Sequence, residues 1–123
     1  DTGGHAHREQ VEKLFGTIKK IDKNIELTAH FHNTYGLGLA NCYAAMKQGV
    51  KFIETAFGGI GGCPFTKVAA GNVSTEDFVH SINRQGIRQD IDIDELIKIA
   101  EELSEFLGRS LPGYVYKTGK LNY

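Results

Sequence analysis

Ile25-Glu26-Leu27-Thr28-Ala29-His30-Phe31-His32-Asn33-Thr34-Tyr35-Gly36 is the stretch on which the fold turns. Its first eight residues predict a β-strand of ordinary length, and Asn33 to Gly36 supply the turn residues that end it. Side chains alternate faces along a strand, so His30 and His32 are expected to project to the same side at its carboxyl end. Neutral imidazole is a good ligand for Mn²⁺, Fe²⁺ or Zn²⁺, and two on one strand face make half of a coordination sphere. A polar strand end that satisfies its own hydrogen bonds has the same spacing, so the pair alone leaves both readings open.

Upstream, Asp1 to Gly4 reads as a loop, and Arg8 to about Lys20 places Val11, Leu14, Phe15, Ile18 and Ile21 at helical spacing in one apolar stripe. Downstream, about Leu37 to Gln48 predicts a second helix closed by Gly49, and Lys51 to Phe57 predicts the next strand. Helix, strand, helix, strand with short connections is the pattern of parallel α/β construction, in which ligands sit at the carboxyl ends of the strands. The second strand runs into Gly58-Gly59-Ile60-Gly61-Gly62-Cys63-Pro64, and that loop continues to Gly71-Asn72. Ser74, with Asp77 three residues on, predicts the N-cap of a helix reaching about Gln85 and stopped by Gly86. A last helix from about Asp92 to Leu107 is expected to turn Ile93, Leu96, Ile97, Ala100, Leu103, Phe106 and Leu107 inward, with Glu101, Glu102 and Glu105 on its wet face. Arg109 to Tyr123 has no clear pattern. Two parallel strands neither cover their own edges nor close a barrel, so the chain is expected to be part of something larger.

Composition narrows the chemistry. A formal net charge of −1 with 24% charged residues gives no bias toward nucleic acid or a membrane surface. No apolar run approaches the roughly 18 to 20 residues that span a bilayer, and no signal-peptide pattern opens the chain, so a cytoplasmic location is expected. The first residue is Asp1 and the single methionine is Met46, as in a processed or truncated chain. Cys42 and Cys63 are too few for a disulfide scaffold. Cys42, among apolar neighbours on a helix, reads as a buried structural thiol. Cys63, at the edge of the glycine loop, reads either as a group that transfers a proton or attacks, or as an incidental residue of a linker. Asn72-Val73-Ser74 matches a glycosylation sequon, read as incidental without a secretory signal. Gly36-Leu37-Gly38-Leu39-Ala40-Asn41 approaches the dinucleotide fingerprint, with Glu54 ending the next strand, but Asn41 stands where the third glycine belongs. His5, His7 and His80 are assigned solvated or capping roles.

Three motifs occur in order: His30-Phe31-His32-Asn33-Thr34-Tyr35-Gly36 with Leu39-Ala40-Asn41, then Gly58-Gly59-Ile60-Gly61-Gly62-Cys63-Pro64-Phe65, then Gly71-Asn72-Val73-Ser74-Thr75-Glu76-Asp77. Together they resemble the C-terminal portion of the 3-hydroxy-3-methylglutaryl-CoA lyase family, within a wider group of metal-dependent TIM-barrel lyases, aldolases and synthases. The resemblance implies an α/β fold, the C-terminal portion of a TIM (β/α)8 barrel. It would run from the loop after strand six through strands seven and eight, with residues 1–88 in the barrel and 89–123 a helical extension. It implies His30, His32 and Asn72 as ligands of Mg²⁺ or Mn²⁺, Cys63 as the proton-transfer group, and Asp1 as a residue near the substrate. The implied substrate is an acyl-CoA, hydroxymethylglutaryl-CoA cleaved to acetyl-CoA and acetoacetate, in a homo-oligomer of the cytoplasm or mitochondrial matrix, without nucleic-acid or membrane partners.

The chain departs from that family in three ways. Asn33 stands where an aspartate commonly follows the second histidine, and Thr66 to Ala70 replaces a smaller, glycine-containing stretch. The family's strand-one arginine and metal-binding aspartate have no counterpart, so the chain as it stands is expected to be incomplete as a site. A related condensing synthase or aldolase, or a non-catalytic domain, is the alternative expectation.

Overall fold

The computed structural model describes residues 1–63, 67 and 71–121. Within them the order is α1 (Arg8–Ile21), β1 (Thr28–His30), α2 (Gly38–Lys47), β2 (Phe52–Glu54), a 3-10 turn (Phe57–Gly59), α3 (Thr75–Asn83), α4 (Ile93–Phe106) and α5 (Val115–Thr118). β1 and β2 pair in parallel, with Thr28 opposite Phe52, Ala29 opposite Ile53 and His30 opposite Glu54. α2 is the crossover that a parallel pair requires.

Both strands are shorter than their sequence patterns predict. A strand exists only as far as a neighbour completes its ladder, and each has one neighbour among the described residues. The extended run nonetheless continues past each strand's end. Segment 71–75 threads between the two carboxyl ends, through an antiparallel bridge of His32 with Asn72 and a parallel bridge of Ala56 with Ser74. Val73 N–H donates to Phe31 O at 3.2 Å, Asn33 N–H to Gly71 O at 3.0 Å, and Ala56 N–H to Val73 O at 3.0 Å.

Burial follows the alternation of the strand. Leu27, Ala29 and Phe31 lie in the core with Val11, Phe15, Cys42, Ala44, Ala45, Phe78 and Ile82. Thr28 and His30, with Phe52 and Glu54 beside them, are exposed on the opposite face. One face of the sheet is thus roofed by helices and the other is open.

Helix caps fall where polar residues predict them, with one reassignment. Ser74 Oγ accepts from Asp77 N–H at 3.2 Å and starts α3, and the Asp92 carboxylate accepts from Asp94 N–H at 2.9 Å and starts α4. The Asp77 side chain, expected to complete a capping box on its own helix, instead accepts from Tyr114 N–H at 3.0 Å and Val115 N–H at 2.7 Å. It therefore caps α5, in the stretch where the sequence has no clear pattern. Four apolar residues assigned inward face solvent: Leu14, Ile21, Phe106 and Leu107 are 58, 83, 86 and 40% exposed. At 3.6 residues per turn, Phe106 lies about 120° round the helix from the buried Ala100. Ile21 and Leu107 fall at helix ends, where the packed partner has already run out.

Candidate functional site

His30 and His32 lie on the same side of the extended run, as alternation requires, with ring centroids 5.2 Å apart and rings nearly perpendicular. Each ring is engaged through Nδ1 by an oxygen. His30 Nδ1 is 3.1 Å from Glu54 Oε2, and His32 Nδ1 is 2.8 Å from the backbone oxygen of Asp1. A carbonyl or ionised carboxylate oxygen only accepts, so Nδ1 is the donor in both rings, and in the neutral ring Nε2 is the nitrogen left with a lone pair. His32 is buried, and that burial, followed by the charge of His30, lowers its pKa. That shift favours the neutral ring, the form that ligates.

Asn72 arrives by the antiparallel bridge to His32, which places the two side chains on one side of the pairing. Its Nδ2 donates to Ile60 O at 2.9 Å, which fixes the orientation of the amide. The other end, Oδ1, is buried and finds no hydrogen-bond partner among the described residues. Such an orphaned acceptor costs about 1–3 kcal/mol unless something positive reaches it. Two imidazole Nε2 atoms and one amide oxygen fit a Mg²⁺ or Mn²⁺ ion as three of about six ligands. Among the described residues no three histidine, cysteine or carboxylate side chains gather as a metal site, so the set needs further oxygen donors.

Asp1 sits beside His32 through its backbone, while its carboxylate accepts from His5 N–H at 2.9 Å. Cys63 is buried at 5% exposure. The loop leading to it is pinned on Asn72, since a Cβ on Gly61 would stand 2.8 Å from Asn72 Nδ2. Cys63 follows two residues later, within about 7 Å of chain. Gly71 makes the closest approach, with φ +77° and the position of a Cβ only 1.6 Å from Gly59 O. Pro64, Phe65, Thr66 and Val68 to Ala70, which include most of the substituted stretch, lie outside the described residues.

Asn33 is not turned toward the histidines. Its Oδ1 accepts from Gly38 N–H at 2.9 Å and so closes the start of α2, a task an aspartate oxygen performs equally well. The same bond answers the dinucleotide fingerprint. Gly38 gives its amide to Asn33 and packs where a Cβ would be 2.6 Å from Val73, and Asn41 is fully buried with Nδ2 on Ala6 O at 2.8 Å. Cys42 is fully buried, and burial pushes its thiol pKa up to about 12. His7 stands at the N-cap of α1, and His80 Nε2 accepts from Leu121 N–H at 3.3 Å.

Two carboxylates carry more of the site than the sequence suggested. Glu54, noted there only as ending the strand after the dinucleotide-like turn, is level with His30; equal strand ends in a parallel pair are the signal that would have found it. Glu76 is fully buried, accepts from Gly58 N–H at 3.0 Å and holds the start of the glycine loop. Only tertiary packing identifies it.

Comparison with known proteins agrees with this geometry. The HMGL-like family model matches residues 1–103. (R)-citramalyl-CoA lyase of Chloroflexus aurantiacus is 44% identical over 119 residues, which are 97% of this chain and 38% of that enzyme. Mitochondrial hydroxymethylglutaryl-CoA lyase of Arabidopsis thaliana is 40% identical over 109 residues, 89% of this chain and 23% of the relative. The structure of an HMG-CoA lyase from Acinetobacter baumannii in complex with coenzyme A and 3-methylmalate superposes with a TM-score of 0.89 at 40% identity, over 100% of this chain and 41% of its own. The chain thus spans less than half the length of each of these proteins, and its α/β fold is theirs over that span. By the match over residues 1–103, the chain belongs to the HMGL-like family.

Proposed function

We propose that this chain is the C-terminal part of a TIM-barrel carbon–carbon lyase that uses a divalent cation to cleave a 3-hydroxyacyl-CoA. The observation that carries the reading is the buried, unpartnered Asn72 Oδ1 brought by a backbone bridge to His32, whose ring is already held through Nδ1. The open sheet face supports the barrel assignment, because inward-facing strand residues are covered only when the remaining strands close the ring. On this reading residues 1–88 are barrel and 89–123 a helical extension.

His30 Nε2, His32 Nε2 and Asn72 Oδ1 are the atoms that would hold a Mg²⁺ or Mn²⁺ ion. When bound, the ion supplies Lewis-acid stabilisation to the 3-hydroxyl oxygen of the substrate and lowers its pKa. Transfer of the hydroxyl proton to solvent base lets the C3–O bond become a carbonyl as the C2–C3 bond breaks, with its electron pair passing to the acetyl-CoA fragment as an enolate. Cys63, on the glycine loop, gives that fragment its proton. The loop excludes water from the reacting carbon, and Glu76 anchors it through Gly58. Asp1 lines the substrate side of His32.

Hydroxymethylglutaryl-CoA is the first substrate proposed. Citramalyl-CoA is the second, favoured by the 44% identity to a citramalyl-CoA lyase. It is one methylene shorter between the carbinol carbon and the distal carboxylate, a difference worth about 1–3 kcal/mol in discrimination. Offering both thioesters to the complete protein decides the matter: acetoacetate as product supports the first and pyruvate the second. Acetyl-CoA from neither, with cation present, removes the lyase reading. A cytoplasmic or matrix location is proposed with it; no helix among the described residues is long and apolar enough to cross a membrane. In this chain alone, without the remaining barrel strands, the exposed sheet edges favour association with a second copy.

A further inference from the structure

We infer that Glu54 is the positioning residue for His30: its carboxylate holds the ring with Nδ1–H toward β2 and leaves the Nε2 lone pair free to ligate, and so sets the affinity for the cation. The inference rests on the cation reading above and goes beyond it, to a residue outside the ligand set.

The parallel register puts His30 directly opposite Glu54, and Nδ1 lies 3.1 Å from Oε2. As an ion pair this contact is weak, because the two side chains are 42 and 64% exposed. Its consequence is orientation rather than stability. The nitrogen of an imidazole that hydrogen-bonds an acceptor carries the proton, and the other nitrogen is left to ligate. His32 repeats the arrangement with a backbone oxygen in place of a carboxylate, so both rings present the same nitrogen by independent means. His32 draws its acceptor from the main chain and no side-chain substitution removes it. His30 depends on Glu54.

The backbone that carries Glu54 is fixed just beyond it. Directly after it, Thr55 Oγ1 and Thr75 Oγ1 are 2.9 Å apart, and Thr75 N–H donates to Ala56 O at 2.9 Å. The segment that carries Asn72 is therefore the same one that fixes the end of β2. Ligand amide, ligand ring and orienting carboxylate share one set of backbone bonds.

Two measurements on the protein and its Glu54→Ala and Glu54→Gln variants test this. In cation-free protein above the histidine pKa range, long-range ¹⁵N–¹H correlation of the rings is expected to find His30 protonated at Nδ1. Glu54→Ala should move it toward protonation at Nε2, whereas Glu54→Gln, whose amide oxygen still accepts, should keep the wild-type tautomer. Mn²⁺ titration, followed by the electron paramagnetic resonance of the free ion, should find affinity weakened about 10- to 100-fold in Glu54→Ala and less in Glu54→Gln. An unchanged His30 tautomer in Glu54→Ala, or Mn²⁺ affinity within about twofold of wild type, overturns the inference. If wild type binds Mn²⁺ and His32→Ala does not, that failure belongs to Glu54 alone. If no variant, His32→Ala included, alters Mn²⁺ binding while the tautomer shifts, the cation reading has failed and the affinity claim falls with it.

Discussion

Cys63, Cys42 and His32 occupy three different environments, and each leads to its own test. Cys63→Ala in the complete protein is expected to lower cleavage by about 100-fold or more while leaving Mn²⁺ affinity unchanged. Unchanged turnover rejects the proton-transfer role. Cys42, with a thiol pKa pushed up to about 12 and no exposed surface, should resist iodoacetamide at pH 8 until the chain unfolds. Mass spectrometry of the labelled native protein checks this, and alkylated Cys42 counts against its burial. His32 has a folded pKa below its ordinary value of about 6.5. The unfolded chain then binds a proton that the folded chain resists, so this contribution to stability is intact above about pH 6.5 and is lost as pH falls through the lowered folded value. The melting-temperature advantage of wild type over His32→Asn should accordingly shrink on acidification. An advantage that is flat or grows between pH 7.5 and 5 contradicts the assignment.

At the scale of the element, the described part of the loop from β2 to α3 is held by close glycine contacts and the Glu76 carboxylate together with Ile60, which packs on the Ala100, Leu111 and Tyr116 cluster. Gly71→Ala forces a Cβ onto the Gly59 carbonyl at a positive φ, and is expected to destabilise by about 3 kcal/mol or more, read from denaturant unfolding. A milder loss is expected at Asp77, whose carboxylate joins two segments 37 residues apart by capping α5. Asp77→Ala should cost about 1–2 kcal/mol and release the stretch around Tyr114 to hydrogen exchange. The helices themselves were legible because caps and stop glycines are local signals: Ser74, Asp92, Gly49, Gly86 and Gly108 all stand at helix ends. The short tail helix was not, because its cap lies on α3.

For the whole molecule, the open face of the sheet is the dominant feature. Phe52 is 50% exposed there, next to Thr28, His30 and Glu54. Light scattering on this chain is expected to find association with a second copy, and Phe52→Ser to reduce it. A single monomeric species for wild type removes that expectation. α1 and α4 also carry more apolar residues than their packing uses. Leu14, Ile21 and Phe106 were read as inward because helical periodicity records which residues are apolar and not how many neighbours are present to bury them.

The sequence by itself determined the alternation that sets His30 and His32 on one side, the parallel α/β order, and the motifs that resemble one family, because these depend on spacing along the chain. It could not place Asn72 opposite His32, set Glu54 level with His30, or bury Glu76 under the glycine loop. Each of those is a contact between residues far apart in sequence, decided by strand register and by the threading of segment 71–75 between two strand ends. Local propensity has no access to register, and register is what converts two histidines into a half-built site.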